Sequence, residues 1–140
     1  MGGGRKMTGS TVQANCDVAA NGNTGCAVLD KNSKSYGLAF NNNGGGFYAM
    51  ERSNSGVKVW FWPRHDKSIP ADVAKGAKKI NTAKWGTPSA HFPATSCNMA
   101  RHFGAHNIII NLSLCECLPS SRGWRTGLLT GRDLRPPSRR

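Results

Sequence analysis

Two runs of strand-forming residues, Phe47-Tyr48-Ala49-Met50-Glu51-Arg52 and Val57-Lys58-Val59-Trp60-Phe61-Trp62, flank the turn-forming segment Ser53-Asn54-Ser55-Gly56. Aromatic and β-branched residues suit a pleated, half-buried surface, so the pattern predicts an antiparallel hairpin. Strand side chains alternate between faces, which places Val57, Val59 and Phe61 on one side and Lys58, Trp60 and Trp62 on the other. The first of these faces is the expected main core. Pro63 ends the second strand because it cannot donate a ladder hydrogen bond.

The rest of the chain is organised around that hairpin. Residues Thr8 to Asn32 are polar and rich in Asn and Gly, with turn signals at Asn21-Gly22 and Thr24-Gly25, and read as loop with one short strand. The run Tyr36-Gly37-Leu38-Ala39-Phe40 reads as an extended segment, joined to the hairpin by Asn41-Asn42-Asn43-Gly44-Gly45-Gly46 as a tight connection. Arg64 to Pro93 reads as a long irregular excursion in which Ala71 to Lys79 forms a short helical turn at most. His106-Asn107-Ile108-Ile109-Ile110-Asn111-Leu112-Ser113-Leu114 carries the strongest strand pattern, with Ile108, Ile110, Leu112 and Leu114 on one face and Asn111 and Ser113 on the other.

With 140 residues, Gly 17 and Pro 7, the chain has room for one core built from short strands and many turns. The expected fold class is all-β. A formal charge of +12 raises nucleic acid as a partner. Up to Cys115, however, the basic residues are dispersed mostly singly among Asn, Ser and Gly, the pattern of a solvated surface, so no specific nucleic acid is expected. No stretch approaches the ~20 apolar residues of a membrane span. Cys16, Cys26, Cys97, Cys115 and Cys117 contain no C-x-x-C pair, which argues against zinc and for disulfides, with one thiol left over. No metal and no cofactor is expected. Disulfides imply an oxidising compartment, whereas the start Met-Gly-Gly-Gly-Arg-Lys shows no apolar signal region.

Composition shifts after Cys115. Residues 116 to 140 hold six Arg and no Lys, against four Arg and nine Lys in residues 1 to 115. With Pro119, Pro136 and Pro137 and few large apolar residues, this tail is expected to be disordered.

Gly44 to Arg52, Val57 to Arg64 and Ile69-Pro70-Ala71-Asp72-Val73 together resemble the fungal laminarinase, endo-1,3(4)-β-glucanase, branch of glycoside hydrolase family 16. Met7-Thr8-Gly9-Ser10, Asn23-Thr24-Gly25-Cys26, Thr82 to Pro88, Cys97 and Ile108 to Cys115 continue the likeness. The resemblance implies three segments: an arbitrary start over 1–6, an incomplete family 16 domain over 7–115, and an unrelated Arg-rich tail over 116–140. It further implies a secreted parent and a concanavalin-like β-sandwich, or jelly roll, here truncated to the C-terminal part of the domain, with a concave sheet lining a glucan cleft.

Family members carry Glu-x-Asp-x-x-Glu as their catalytic motif, upstream of the part resembled here. The only glutamates in this chain are Glu51 and Glu116, and neither is followed by Asp two residues later. No catalytic residue is therefore assigned, and the chain is expected to be an inactive fragment of a β-1,3(4)-glucanase. The family also continues after the Cys115 position with Gly-Asp-Trp-Ala-Gly, where this chain has Glu116-Cys117-Leu118-Pro119.

Three residues are candidates for substrate binding. Asn111 and Ser113 lie on the strand face that the resemblance turns toward the cleft, and Trp60 offers a ring of the kind that stacks on sugars. Trp60, Trp62 and Trp85 equally suit core packing, and Asn111-Leu112-Ser113 doubles as a glycosylation sequon. β-Glucan is the expected partner, bound weakly. His65, His91, His102 and His106 read as loop or surface residues, and Gly44-Gly45-Gly46 lacks the Lys-Ser/Thr of a phosphate loop. Truncation after Cys115 is expected to leave the folded part unchanged. Equal thermal midpoints and matching far-ultraviolet circular dichroism per folded residue, for the full chain and residues 1–115, are the check.

Overall fold

The computed structural model describes residues 5–109. Met1–His106 form one compact unit, and a second unit begins at Asn107. The first unit is mostly β. Strand β1 (Ser10–Gln13) pairs antiparallel with β2 (Ala27–Leu29), matching Ser10 with Leu29 and Thr11 with Val28, with an irregularity between Thr11 and Gln13. A one-turn helix α1 (Gly37–Asn42) leads to β3 (Gly46–Ser53) and β4 (Gly56–Pro63). After β4 come α2 (Ala71–Ala74), a 3-10 turn over Thr82–Lys84, β5 (Ala90–Pro93) and α3 (Met99–His102). The larger sheet has the order β3-β4-β5, all antiparallel.

The hairpin forms as its sequence predicts, in full register from Gly46 opposite Pro63 to Ser53 opposite Gly56. Gly56 is required there. Its φ is +133°, a region that side-chain-bearing residues rarely adopt, and a Cβ would run into the carbonyl oxygen of Phe92. This close approach is how β5 gains its pairing with β4, Gly56 opposite Pro93 and Val57 opposite Phe92. Gly9 plays a similar part where Thr8 and Gly9 donate backbone hydrogen bonds to Pro88 O and Ser89 O, each at 2.9 Å. A Cβ on Gly9 would sit 2.5 Å from Ser89 O and 2.7 Å from Leu29 O.

The core lies on the opposite face of β4 from the one expected. Trp60, Trp62 and Trp85 form the buried cluster, with Phe47, Ala49, Ile69 and Val73 packed against it. Excursion residues between β4 and β5 fold back beneath this face and bring Trp85 edge-on to both strand indoles. Of Val57, Val59 and Phe61 on the other face, only Phe61 is buried, covered by Tyr48 and by Phe40 of α1. Tyr48 and Met50 stay 57% and 67% exposed there. Alternation identified the two faces; which one gains cover depends on where a distant loop returns.

Two segments depart from their expected conformations. Tyr36–Phe40 is not extended: from Gly37 the chain winds into α1, which carries the Phe40 ring to within 6.5 Å of Tyr48 and 6.2 Å of Phe61. Of the run His106–Leu114, residues 106–109 form no strand, because a strand exists only where a second edge accepts its hydrogen bonds and none among the described residues does. Residues 110–114 and the tail 116–140 lie outside the described residues, as do Cys115 and Cys117. Cys16 and Cys26 form a disulfide, and Cys97 has no disulfide partner among the described residues.

Gly56→Ala combines backbone strain with a collision against β5, and is expected to cost about 2–3 kcal/mol. Urea unfolding with an unchanged slope and a lower midpoint would show it. The Tyr48/Met50/Val57/Val59 face should also bind a hydrophobic dye such as anilinonaphthalene sulfonate in native buffer. Substituting Met50→Lys should reduce that fluorescence without lowering the unfolding midpoint.

Candidate functional site

One face of the larger sheet carries a polar row beside the tryptophan cluster. Strand register sets Glu51 of β3 opposite Lys58 of β4, and Lys58 opposite His91 of β5, so the three share a face in line across the sheet. Lys58 Nζ lies 3.4 Å from Glu51 Oε2 in a half-exposed ion pair. Thr82, from the 3-10 turn, donates its hydroxyl to Glu51 Oε1 at 2.6 Å. Asn81 caps that turn by accepting from Ala83 N, which holds Thr82 in place.

These contacts decide the protonation states. The Thr82 hydrogen bond, more than Lys58, holds the Glu51 carboxyl below its ordinary value, against a smaller opposing effect of burial. Burial first, then the charges of Lys58 and Arg5, push His91 down. Near neutral pH the row therefore presents the Glu51 carboxylate and a neutral His91 imidazole beside Lys58 and the Thr82 hydroxyl. Such a set hydrogen-bonds a hydroxyl-rich ligand well. Glu51, held ionised with both oxygens engaged, is poorly suited to donate a proton.

Asp72 serves the core. Both of its oxygens accept from Trp85 Nε1 at 3.1 Å, and Oδ2 also accepts from Asn81 N at 2.9 Å. The Asn81 bond is the main reason its carboxyl is lowered. Nothing in the sequence pattern pointed to this carboxylate, although Asp72 and Trp85 both lie in segments that carry the family resemblance.

Of the expected substrate-binding residues, the structure describes Trp60. It is 3% exposed, its ring stands edge-on to Trp85, and its Nε1 donates to Gly86 O at 3.2 Å. Asn111 and Ser113 lie outside the described residues. His102 is the last residue of α3 and His106 falls beyond it, so their spacing puts no two imidazoles on one helix face. Among the described residues no group of three His, Cys, Asp or Glu side chains is placed to hold a metal. Gly44 and Gly45 take positive φ in the turn between α1 and β3, and Arg64 closes that turn by donating to Gly44 O at 3.1 Å while its guanidinium covers the Phe47 ring at 4.7 Å.

The chain as a whole is similar to several known proteins. The solved structure of laminarinase 16A from Phanerochaete chrysosporium, which holds two β-glucans in donor and acceptor sites, matches 74% of this chain and 35% of its own with 53% identity and a TM-score of 0.70. An elongating family 16 β-1,3-glucosyltransferase matches with 33% identity and a TM-score of 0.59, covering 71% of this chain and 31% of its own. Among curated proteins, an endo-1,3(4)-β-glucanase of Arthroderma benhamiae is 41% identical over 129 residues, 89% of this chain and 26% of the relative. A probable glycosidase of Schizosaccharomyces pombe is 38% identical over 113 residues, 79% of this chain and 26% of the relative. The chain thus spans about a quarter of the length of these curated relatives. The family model for the XgeA-like catalytic domain of family 16 matches residues 3–127. On that match, and on the sheet it shares with the laminarinase, the chain belongs to glycoside hydrolase family 16.

Proposed function

We propose that these 140 residues are a partial endo-β-1,3(4)-glucanase domain that supplies wall to a glucan cleft and does not itself hydrolyse glucan. One observation carries the reading: Glu51 and Glu116 are the only glutamates, and neither begins the family's Glu-x-Asp-x-x-Glu. Retaining hydrolysis needs a nucleophilic carboxylate and a separate acid and base about 5–5.5 Å apart across the scissile bond. Glu51 is tied to Thr82 and Lys58, and Asp72 to Trp85 and Asn81. Neither is arranged as half of such a pair.

Binding is a separate matter from chemistry. The laminarinase relative holds β-glucans, and here Asn111 and Ser113 are proposed to offer an amide and a hydroxyl to sugar hydroxyls, with Trp60 acting through the packing beneath. Affinity is weak because a partial wall contacts one side of the glucan only. The tail beyond Cys115 plays no part in this reading. Nucleic-acid binding has no support in the relatives and is not proposed.

Purified chain incubated with laminarin or lichenan should release no reducing sugar above a heat-killed control. Release that is lost on Glu51→Gln would overturn the proposal by revealing chemistry at that carboxylate. In native gels containing laminarin the chain should be slightly retarded, and Asn111→Ala with Ser113→Ala should abolish the retardation. A parallel gel-shift series in salt reports any nucleic-acid binding through its steep salt dependence.

A further inference from the structure

The N-terminal segment, residues 5–9, meets β5 beside a titratable side chain. Arg5 donates through one guanidinium nitrogen to His91 O at 3.4 Å and through the other to Thr11 Oγ1 at 2.6 Å, so it ties β5 to β1. Thr8 N donates to Pro88 O and Gly9 N to Ser89 O, each at 2.9 Å, which docks the segment on the residues leading into β5. The fit is close: a Cβ on Gly9 would collide with Ser89 O and Leu29 O.

His91 stands between two cations. Strand register sets Lys58 of β4 directly opposite it on the same face, and Arg5 lies against its backbone. Among the described residues, the charges that act on the ring are these two, both positive. Glu51, one strand further across the sheet, is engaged by Lys58 and by the Thr82 hydroxyl. Half-buried as well, the imidazole sits where both solvent exclusion and its neighbours favour the neutral form.

We propose that His91 operates an acid-sensitive latch: its imidazole takes a proton from solvent between Lys58 and Arg5, and the N-terminal segment is released from β5. Like charges directly opposite in a sheet repel, so one of the neighbouring cations must yield. Lys58 is restrained by Glu51, whose carboxyl is held below its ordinary value by Thr82 before any other cause, so that pair persists on mild acidification. Arg5 is held only by a long bond to His91 O and by one exposed hydroxyl, and it is the group that leaves. Two neutral backbone bonds then remain to dock the segment. The β3–β4 hairpin and the tryptophan cluster take no residue from it and stay formed.

Linkage gives the direction. Burial first, then Lys58 and Arg5, hold the docked His91 below its ordinary value, and release of the segment relaxes part of that constraint. The released state therefore binds the proton more readily. Docking is fully favoured above the ordinary imidazole range, about 6.5, and weakens as pH falls below it.

Amide hydrogen exchange of the full chain, followed by NMR between pH 7.5 and pH 5 and normalised to the intrinsic rate at each pH, tests the latch. Thr8 and Gly9 should lose protection by at least about 3-fold over that range, while the amides of β4 keep theirs. His91→Gln should flatten the Thr8 and Gly9 response, because the amide side chain cannot charge. Protection of Thr8 and Gly9 that does not change with pH overturns the proposal, as does an equal loss in His91→Gln. Loss of protection throughout β4 overturns it too, since the event would then be global acid unfolding. Arg5→Gln supplies a second arm that leaves every side chain of β5 in place. The titration midpoint of the His91 imidazole, read from its Cε1 proton, should rise in that variant, and an unchanged midpoint overturns the role given to Arg5.

Discussion

The indole of Trp85 stands edge-on to two others, 5.1 Å from Trp60 at 89° and 5.8 Å from Trp62 at 90°. Aromatic rings prefer this geometry because the positive edge of one meets the negative face of another, and each buried ring also removes a large apolar area from water. Trp60 and Trp62 belong to β4, the one strand of the larger sheet with partners on both sides. Trp85 comes from the excursion after it. The contact therefore does two jobs: it gives the sheet a core, and it determines where some twenty-five irregular residues must go. Asp72 fixes the orientation by holding Trp85 Nε1 and Asn81 N at once, and Asn81 in turn caps the turn that presents Thr82 to Glu51. From the aromatic contact to the polar row, each step depends on the one before.

This dependence also explains how Glu51 is held. A catalytic carboxyl needs freedom to exchange a proton and a partner across the bond being broken. Glu51 has a hydroxyl on one oxygen and an ammonium beside the other, both of which favour its charged form. Its role is that of a fixed acceptor.

Local pattern was legible in the sequence, and long-range return was not. The hairpin, its turn, the short helical turn near Ala71 and the disulfide-forming habit of the cysteines all follow from residue type and spacing over a few positions. The choice of core face does not, because it depends on Trp85 arriving from 23 residues beyond Trp62. Strand β5 was read as part of an irregular stretch since Ala90-His91-Phe92-Pro93 is short and bounded by Pro88 and Pro93; it pairs only because Gly56 admits Phe92 O so closely. Tyr36–Phe40 alternates like a strand over five residues, too few to distinguish it from a helical turn. Glu51 was identified as a strand carboxylate, but its partner Thr82 lies 31 residues away and gave no local signal.

The same distinction between local and distant contacts accounts for the unequal faces of the larger sheet. The Trp60/Trp62 face is covered by the chain that follows it directly, at small loop-closure cost. The Tyr48/Met50/Val59 face receives Phe40 and little else among the described residues. A β-sandwich buries such a face against a second sheet about 10 Å away, whose strands come from remote parts of the chain. The laminarinase relative is matched over 35% of its own length. Among the described residues, the contacts that form the tryptophan core and the larger sheet are those encoded within a continuous stretch of chain. The Glu51 row belongs to this kind. The polar row is thus reached through the same locally closed contacts as the core, Asp72 holding Trp85 and Asn81, and Asn81 holding Thr82.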